Sequence, residues 1–335
     1  AGQGGSGIAG AAGAGGSAIN PTDCSVLYVG PGAPGLSNGC NPALPLPTLA
    51  SALTFAQAGK TTEIRICKGK YTSAEPTKLV RNISVLGGYD CKTWERDSGG
   101  TASPSTVLIS TSTWPPLIIE GSDVTRSAVI DGIYFQGSTG GKLSRGLTIR
   151  GGASPTMQGN LIEARSATGT LDPTSVGLEV EGVGTAPRIS GNIIRSGTGD
   201  TTDSTVASAG VYLDQDVGDL ELSGNVISAG DALLHGDGVG SVGIYIEPLR
   251  AAALTGASAL RDNVVTSGVG FDANNLVEAL SIGIFMDETS EPRGKVEIVG
   301  GVVIAGRGAH AGATPSNVFP STAGIYSGNH VSLLV

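Results

Sequence analysis

A short phrase returns along the chain at a nearly fixed interval. ISGNIIRSG at residues 189–197 is matched by TMQGNLIEA at 156–164, LSGNVISAG at 222–230 and LRDNVVTSG at 260–268. Its asparagines fall at 160, 192, 225 and 263, in steps of 32, 33 and 38. A second phrase keeps time with the first: GLEV at 177–180, GVYL at 210–213, GIYI at 243–246, GIFM at 283–286 and GIYS at 324–327. Its glycines are 33, 33, 40 and 41 residues apart. A period of about 20–50 residues marks solenoids and arrays. The segments between are rich in Gly, Thr, Ser and Asp and lack helical periodicity, which excludes helix-pair repeats. Short strand-like pieces separated by Gly and Asn predict a β-solenoid.

In such a coil each turn lies about 4.8 Å above the last, so like residues stack. Asn160, Asn192, Asn225 and Asn263 are therefore expected to share one bend. Their side-chain amides can bond the amides above and below, and Asn tolerates a left-handed backbone there. Ile189, Ile193 and Ile194 are expected near inward positions. Tyr212, Tyr245, Phe285 and Tyr326 form an aromatic ladder on one face, with Val211, Ile244, Ile284 and Ile325 on the other. The expected orientation has the aliphatic row inward and the aromatics outward, where they could serve as a binding strip. The stretches 197–208 and 269–281 read as lateral loops.

Composition fits a chain with a core but little charge. Of 335 residues 54 are Gly, 39% are apolar and only 15% are charged. The net charge of −9 argues against nucleic acid and anionic membrane surfaces, both of which call for clustered Lys and Arg. No apolar run approaches the about 20 residues of a membrane span.

Three regions follow. Residues 1–18 are a Gly/Ala-rich tail that alone would be a flexible coil. It is expected in a narrow groove of the body or of a partner subunit, anchored by Ile8 and Ile19. Residue 1 reads as a processing boundary. Residues 19–125 read as an N-terminal cap and first coils. VLYVG at 26–30, EIRICKG at 63–69 and KLVRNISVLGGY at 78–89 are strand-like. A short helix is predicted with Thr48 as N-cap, Leu49, Ala52, Leu53 and Ala56 on one face, and Gly59 as the stop. Residues 126–335 read as parallel β-helix coils ending in the apolar strand HVSLLV. Leu333 and Leu334 are there the counterpart of the tail as a subunit contact, so the expected partner is a second copy, in a homo-oligomer or fibre.

Cys24, Cys40, Cys67 and Cys91 all lie in the first third and form no CxxC pair. Two disulfides pinning the cap are expected, with Cys24–Cys40 and Cys67–Cys91 the preferred choice among the three pairings four cysteines allow. Disulfides place the chain outside the cytosol, at the cell surface or beyond it.

The block YVGPGAPGLSNGCNPALPLPTLASALTFA, then IRICKGKY, then ISVLGGYDCKTWERD, then the SGN coils, resembles the right-handed parallel β-helix proteins of bacterial cell surfaces. These are exported proteins with an N-terminal cap and pectate-lyase-type coils. The resemblance covers about residues 24–330 and rests most on GGYDCKTWERD at 87–97. It implies an all-β, right-handed parallel β-helix with a disulfide-pinned cap. It does not imply one activity, because this fold hosts lyases, hydrolases, adhesins and fibres. Lyases of the fold bind calcium through outward carboxylates and use Lys or Arg as base; its hydrolases cluster Asp on adjacent coils.

The matching candidates here are Asp214, Asp216, Asp219 and Glu221 in LDQDVGDLEL, Asp231, His235 and Asp237 in GDALLHGDG, and Asp200 and Asp203 before them. Asp214 and Asp216 are the candidate Ca²⁺ ligands, and no other cofactor is expected. A carboxylate pair could also act as acid and base. Against this, Asp and Gly are ordinary turn residues. There is no EF-hand loop, P-loop, nucleophile elbow or HExxH. The expectation is thus an exported structural or adhesive protein with no catalytic residue assigned. The alternative is a protein that binds cell-surface polysaccharide, or a lyase or hydrolase working on one lateral face.

Overall fold

In the computed structural model, the described residues are 21–31, 38–96, 104–139, 141–169, 173–202, 206–214, 217–234, 239–247, 258–272, 280–286, 296–306, 322–327 and 333–334. The tail at 1–18, with Ile8, and Ile19 after it lie outside them, as do Asp203, Asp216, His235 and Asp237.

Among the described residues every strand pairing is parallel, apart from an isolated antiparallel bridge between Tyr89 and Arg96. Successive turns of the chain contribute one strand to each sheet. Sheet A has ten strands, beginning with Val26–Val29 and ending with Leu333–Leu334, which pairs with Val296–Val299. Sheet B has eight, from Gly69–Ser73 to Val302–Ile304. Sheet C has eight, from Lys78–Leu79 to Thr322–Ser327. A small sheet D of four strands, Ala167–Gly169 to Gly270–Asp272, lies in the chain between B and C. The protein is an all-β parallel β-helix.

The core is one continuous apolar column inside the coil, from Leu27 through Ile130, Ile189 and Leu222 to Ile298. The helix Leu49–Ala58 closes its N-terminal end. Thr48 caps the helix, its Oγ1 accepting from the Ser51 N–H at 3.1 Å, and Leu49, Ala52, Leu53 and Ala56 are buried. Two disulfides, Cys24–Cys40 and Cys67–Cys91, hold the loops around this cap. Trp94 joins the two loops. Its indole N–H donates to the Pro42 carbonyl at 3.0 Å, and its ring meets Tyr28 edge-on at 4.8 Å. Trp94 has a φ of +55°, a left-handed position unusual for a bulky residue.

At the bend between sheets A and B, the four asparagines form an unbroken buried column. The N–H and Nδ2 of Asn160 both donate to Asn192 Oδ1 at 3.0 Å. Asn192 repeats this toward Asn225, and Asn225 toward Asn263, at 2.9–3.1 Å. Each Nδ2 also reaches a main-chain carbonyl: Ile130, Met157, Ile189 and Leu222 in turn. The left-handed backbone lies one residue earlier than expected. Gly159, Gly191, Gly224 and Asp262 have φ of 52–63°, and the asparagines do not. The residue that makes the bend and the residue that ties the rungs are different, because the amide must point inward along the stack. Ile189 and Ile194 are fully buried, but Ile193 faces outward; side chains alternate across the strand Ile193–Arg195.

A second column stands at the corner between sheets B and C. Ser144, Ser175, Ser208, Ser241 and Ser281 are buried. Ser208 Oγ donates to the Gly197 carbonyl at 3.0 Å, Ser241 Oγ to the Gly230 carbonyl at 2.8 Å and Ser281 Oγ to the Gly268 carbonyl at 2.6 Å. Each of these three serines precedes the second phrase's glycine by two residues, so an S-x-G reading of the repeat would have found them.

Candidate functional site

Among the described residues, sheet C is the one long sheet buried on both faces over its central strands. All eight residues of Val206–Leu213 and of Val239–Ile246 are buried. Val211, Ile244 and Ile284 join the inner core. On the opposite face Tyr212, Tyr245 and Phe285 form a separate apolar cluster with Val176, Ala209 and Val242, and Tyr326 packs against it. The four rings stack at centroid distances of 5.4, 5.5 and 5.4 Å. The aromatics therefore do point away from the core, yet Tyr212, Tyr245 and Phe285 are each at most 8% exposed. They act as a second core rather than as an open strip.

The polar end of this face carries the densest chemistry among the described residues. Register places Glu120, Arg150 and Glu181 on successive rungs, and Asp214 follows, its N–H donating to the Val180 carbonyl. Glu247 comes next, its N–H donating to the Leu213 carbonyl. Arg150 bridges Glu120 at 3.1 Å and Glu181 at 3.5 Å. The Tyr212 hydroxyl is hydrogen-bonded to Glu247, and burial followed by that carboxylate pushes its pKa far up. Beside them Arg145 and Glu179 form a buried pair at 2.9 Å, and Thr148 Oγ1 donates to Glu179 at 2.8 Å.

Burial, then the neighbouring Glu179 charge, raises the Glu181 pKa against the pull of Arg150, with Asp214 adding a smaller push. Raised folded-state affinity for the proton means that this group stabilises the fold below the ordinary carboxyl range and loses that contribution as pH rises through its folded pKa. Glu120 and Glu221 run the other way. Bound by Lys78 and by Arg188 respectively, their pKa values are lowered, so their contributions are lost as pH falls. Glu181→Gln is therefore expected to raise Tm at pH 7 by about 1–2 °C and to give no gain near pH 4. Thermal melts at the two pH values check this; an equal shift at both would refute it.

The structure divides the acidic residues singled out in the sequence. Asp214 belongs to the row on sheet C. Glu221 lies on sheet A, where Arg188 holds it at 2.7 Å and Arg126 at 2.8 Å. Asp219 is exposed and its carbonyl accepts from Arg126. Asp231 is exposed, with its carboxylate accepting from the Val269 N–H at 2.8 Å. Asp200 lies on sheet D. No group of three His, Cys, Asp or Glu suited to a metal occurs among the described residues. Glu179, Glu181 and Glu247 were not singled out by sequence reasoning. For Glu181 and Glu247 the signal is an acid four residues after the phrase's glycine: Glu181, Asp214, Glu247 and then Asp287, the last outside the described residues.

Sheet B presents the opposite character. One outward column runs Tyr134, Leu161, Ile193, Val226, Val264, Val302. Its last three members are 45, 37 and 49% exposed, and neighbouring Ile304 is 52% exposed.

No family model and no curated protein matches the chain. Among solved structures, it is similar to the catalytic domain of GH87 alpha-1,3-glucanase in complex with nigerose, at 11% identity and a TM-score of 0.26, covering 95% of this chain and 68% of that one. A variant of that domain in complex with tetrasaccharides gives 11% identity, a TM-score of 0.23 and coverages of 95% and 69%. Likeness this distant carries no inference about activity. The two disulfides belong to an oxidising compartment. No helix among the described residues is long and apolar enough to cross a membrane.

Proposed function

We propose that this chain is an exported structural or adhesive rod, at the cell surface or outside the cell, that presents sheet B to an extracellular polymer. The observation that supports it is the in-register column of Val226, Val264 and Val302, exposed on a sheet whose interior is locked by the asparagine and serine columns. Exposed aliphatic side chains repeated at rung spacing offer a flat, regular contact surface. The fibre form of this reading depends on residues 1–18, which lie outside the described residues.

The test is co-sedimentation with insoluble polysaccharides and cell-wall material. The wild type is compared with a Val226→Lys, Val264→Lys, Val302→Lys variant, whose changes are at exposed positions. The wild type is expected to bind, and the variant to lose about tenfold or more in affinity as three apolar contacts go. Absence of binding by the wild type, or equal binding by both, overturns the reading.

A second reading is favoured by one observation. Glu181, its pKa raised chiefly by burial, lies one rung from Asp214, and two carboxyls side by side suit acid–base cleavage of a glycosidic bond. Release of reducing ends from a polysaccharide panel, lost in Glu181→Gln, would support a hydrolase. No release from any member would dismiss it.

A further inference from the structure

Between sheets B and D a shallow groove runs along the rod, remote in the chain's turn from the carboxylate row. Glu163 and Arg195, adjacent in register at the end of sheet B, form one wall. Ser166, Thr198 and Asp231, which precede the paired residues Ala167, Gly199 and Ala232, form the facing rim. Gly197 and Gly230 line it without side chains, and a Cβ on Gly230 would fall 2.5 Å from the Gly197 backbone, so only glycine fits at that position.

The charges within it are unequal. Glu163 is occupied by Arg165 at 3.1 Å. Asp231 commits one oxygen to the Val269 N–H. Arg195 is exposed, and no carboxylate among the described residues pairs with it. This contrasts with Arg145, Arg150, Arg165 and Arg188, each held by a glutamate. A guanidinium with its fork of donors open, flanked by two hydroxyls and a carboxylate acceptor, matches a sugar that carries both an anionic group and free hydroxyls.

We propose that this groove binds an acidic polysaccharide, with Arg195 taking the sugar's carboxylate or sulfate and Ser166, Thr198 and Asp231 engaging its hydroxyls. The proposal rests on the adhesive reading and gives it a ligand class; Arg195 ends the strand Ile193–Arg195 and so lies beside the valine column, not in it.

Isothermal titration of the whole chain with a uronan oligosaccharide, a sulfated galactan oligosaccharide and a neutral glucan oligosaccharide tests it. At least one anionic ligand is expected to bind at least about tenfold tighter than the neutral one. Arg195→Ala should weaken that ligand by about tenfold or more, as loss of a charge-assisted contact requires. Arg188→Ala, which opens an exposed pair on sheet A, should leave it unchanged. The triple-lysine variant on sheet B should keep it too, which separates failure of this groove from failure of the valine surface. Which anionic arm responds identifies the charged group. Equal affinity for neutral and anionic ligands, no binding of any, or binding unaltered by Arg195→Ala would overturn the proposal. A Tm for Arg195→Ala equal to wild type excludes misfolding as the cause, and Arg195→Lys should recover part of the affinity.

Discussion

Gly210→Val is expected to abolish accumulation of folded protein. A Cβ at Gly210 would lie 2.6 Å from the Gly243 carbonyl oxygen and 2.8 Å from Ile227 Cγ2. The first obstacle is backbone of the next rung and cannot swing aside. Gly177 stands in the same relation to Gly210, at 2.6 Å. The interior is so thin at this column that sheets B and C approach with no side chain of sheet C between them. Forcing branched atoms into that gap displaces a whole rung, and overpacking of this kind costs about 3 kcal/mol or more. Gly224→Ala is the contrasting case. Gly224 has a φ of +62°, and a methyl carbon added to it would meet nothing within 4 Å. It should lose only the conformational preference, about 1 kcal/mol. Denaturant melts of both variants, with soluble yield, decide the matter. A Gly210→Val protein as stable as Gly224→Ala would show that the two sheets can part.

Asn192→Ala should be the second most damaging change, about 3–5 kcal/mol. Asn192 Oδ1 accepts from both the N–H and Nδ2 of Asn160, and its Nδ2 donates to Asn225 Oδ1 and to the Met157 and Ser190 carbonyls. All of these bonds except the one to the Ser190 carbonyl are buried, so the deletion strands donors and acceptors on both neighbouring rungs without access to water. Asn82→Ala, at an exposed site, serves as the control and should cost about 1 kcal/mol or less. Equal losses at the two positions, measured by denaturant unfolding, would mean that the buried column adds nothing to stability.

The coil itself was legible because stacking imposes a period, and a period can be read off a linear string. Asn160, Asn192, Asn225 and Asn263 repeat at the rung length, and the structure stacks them in that order. What lies on either side of a strand is harder to read. Ile193 and Ile194 are the same residue type, and only alternation decides that Ile194 enters the core. In sheet C both faces are apolar, so alternation offers no contrast, and the burial of Tyr212 and Tyr245 could not be inferred from GVYL and GIYI. Pairing of charge was equally hidden. Glu221 is neutralised by Arg188 one rung away and by Arg126 from 95 positions earlier in the chain, whereas Asp219, two residues before it, is exposed. Local spacing grouped Asp214 with Asp219 and Glu221; the turn between sheets C and A separates them.

The asparagine column has a sense of direction. From each member to the next, a side-chain N–H faces the rung nearer the C-terminus and the accepting oxygen faces the rung nearer the N-terminus. The amide dipoles thus add like compass needles set nose to tail. A 33-residue unit copied within the chain would fit the array in one orientation alone. Lengthening by duplication keeps that polarity without any new contact having to be invented, whereas a unit inserted upside down would set oxygen against oxygen at its seam.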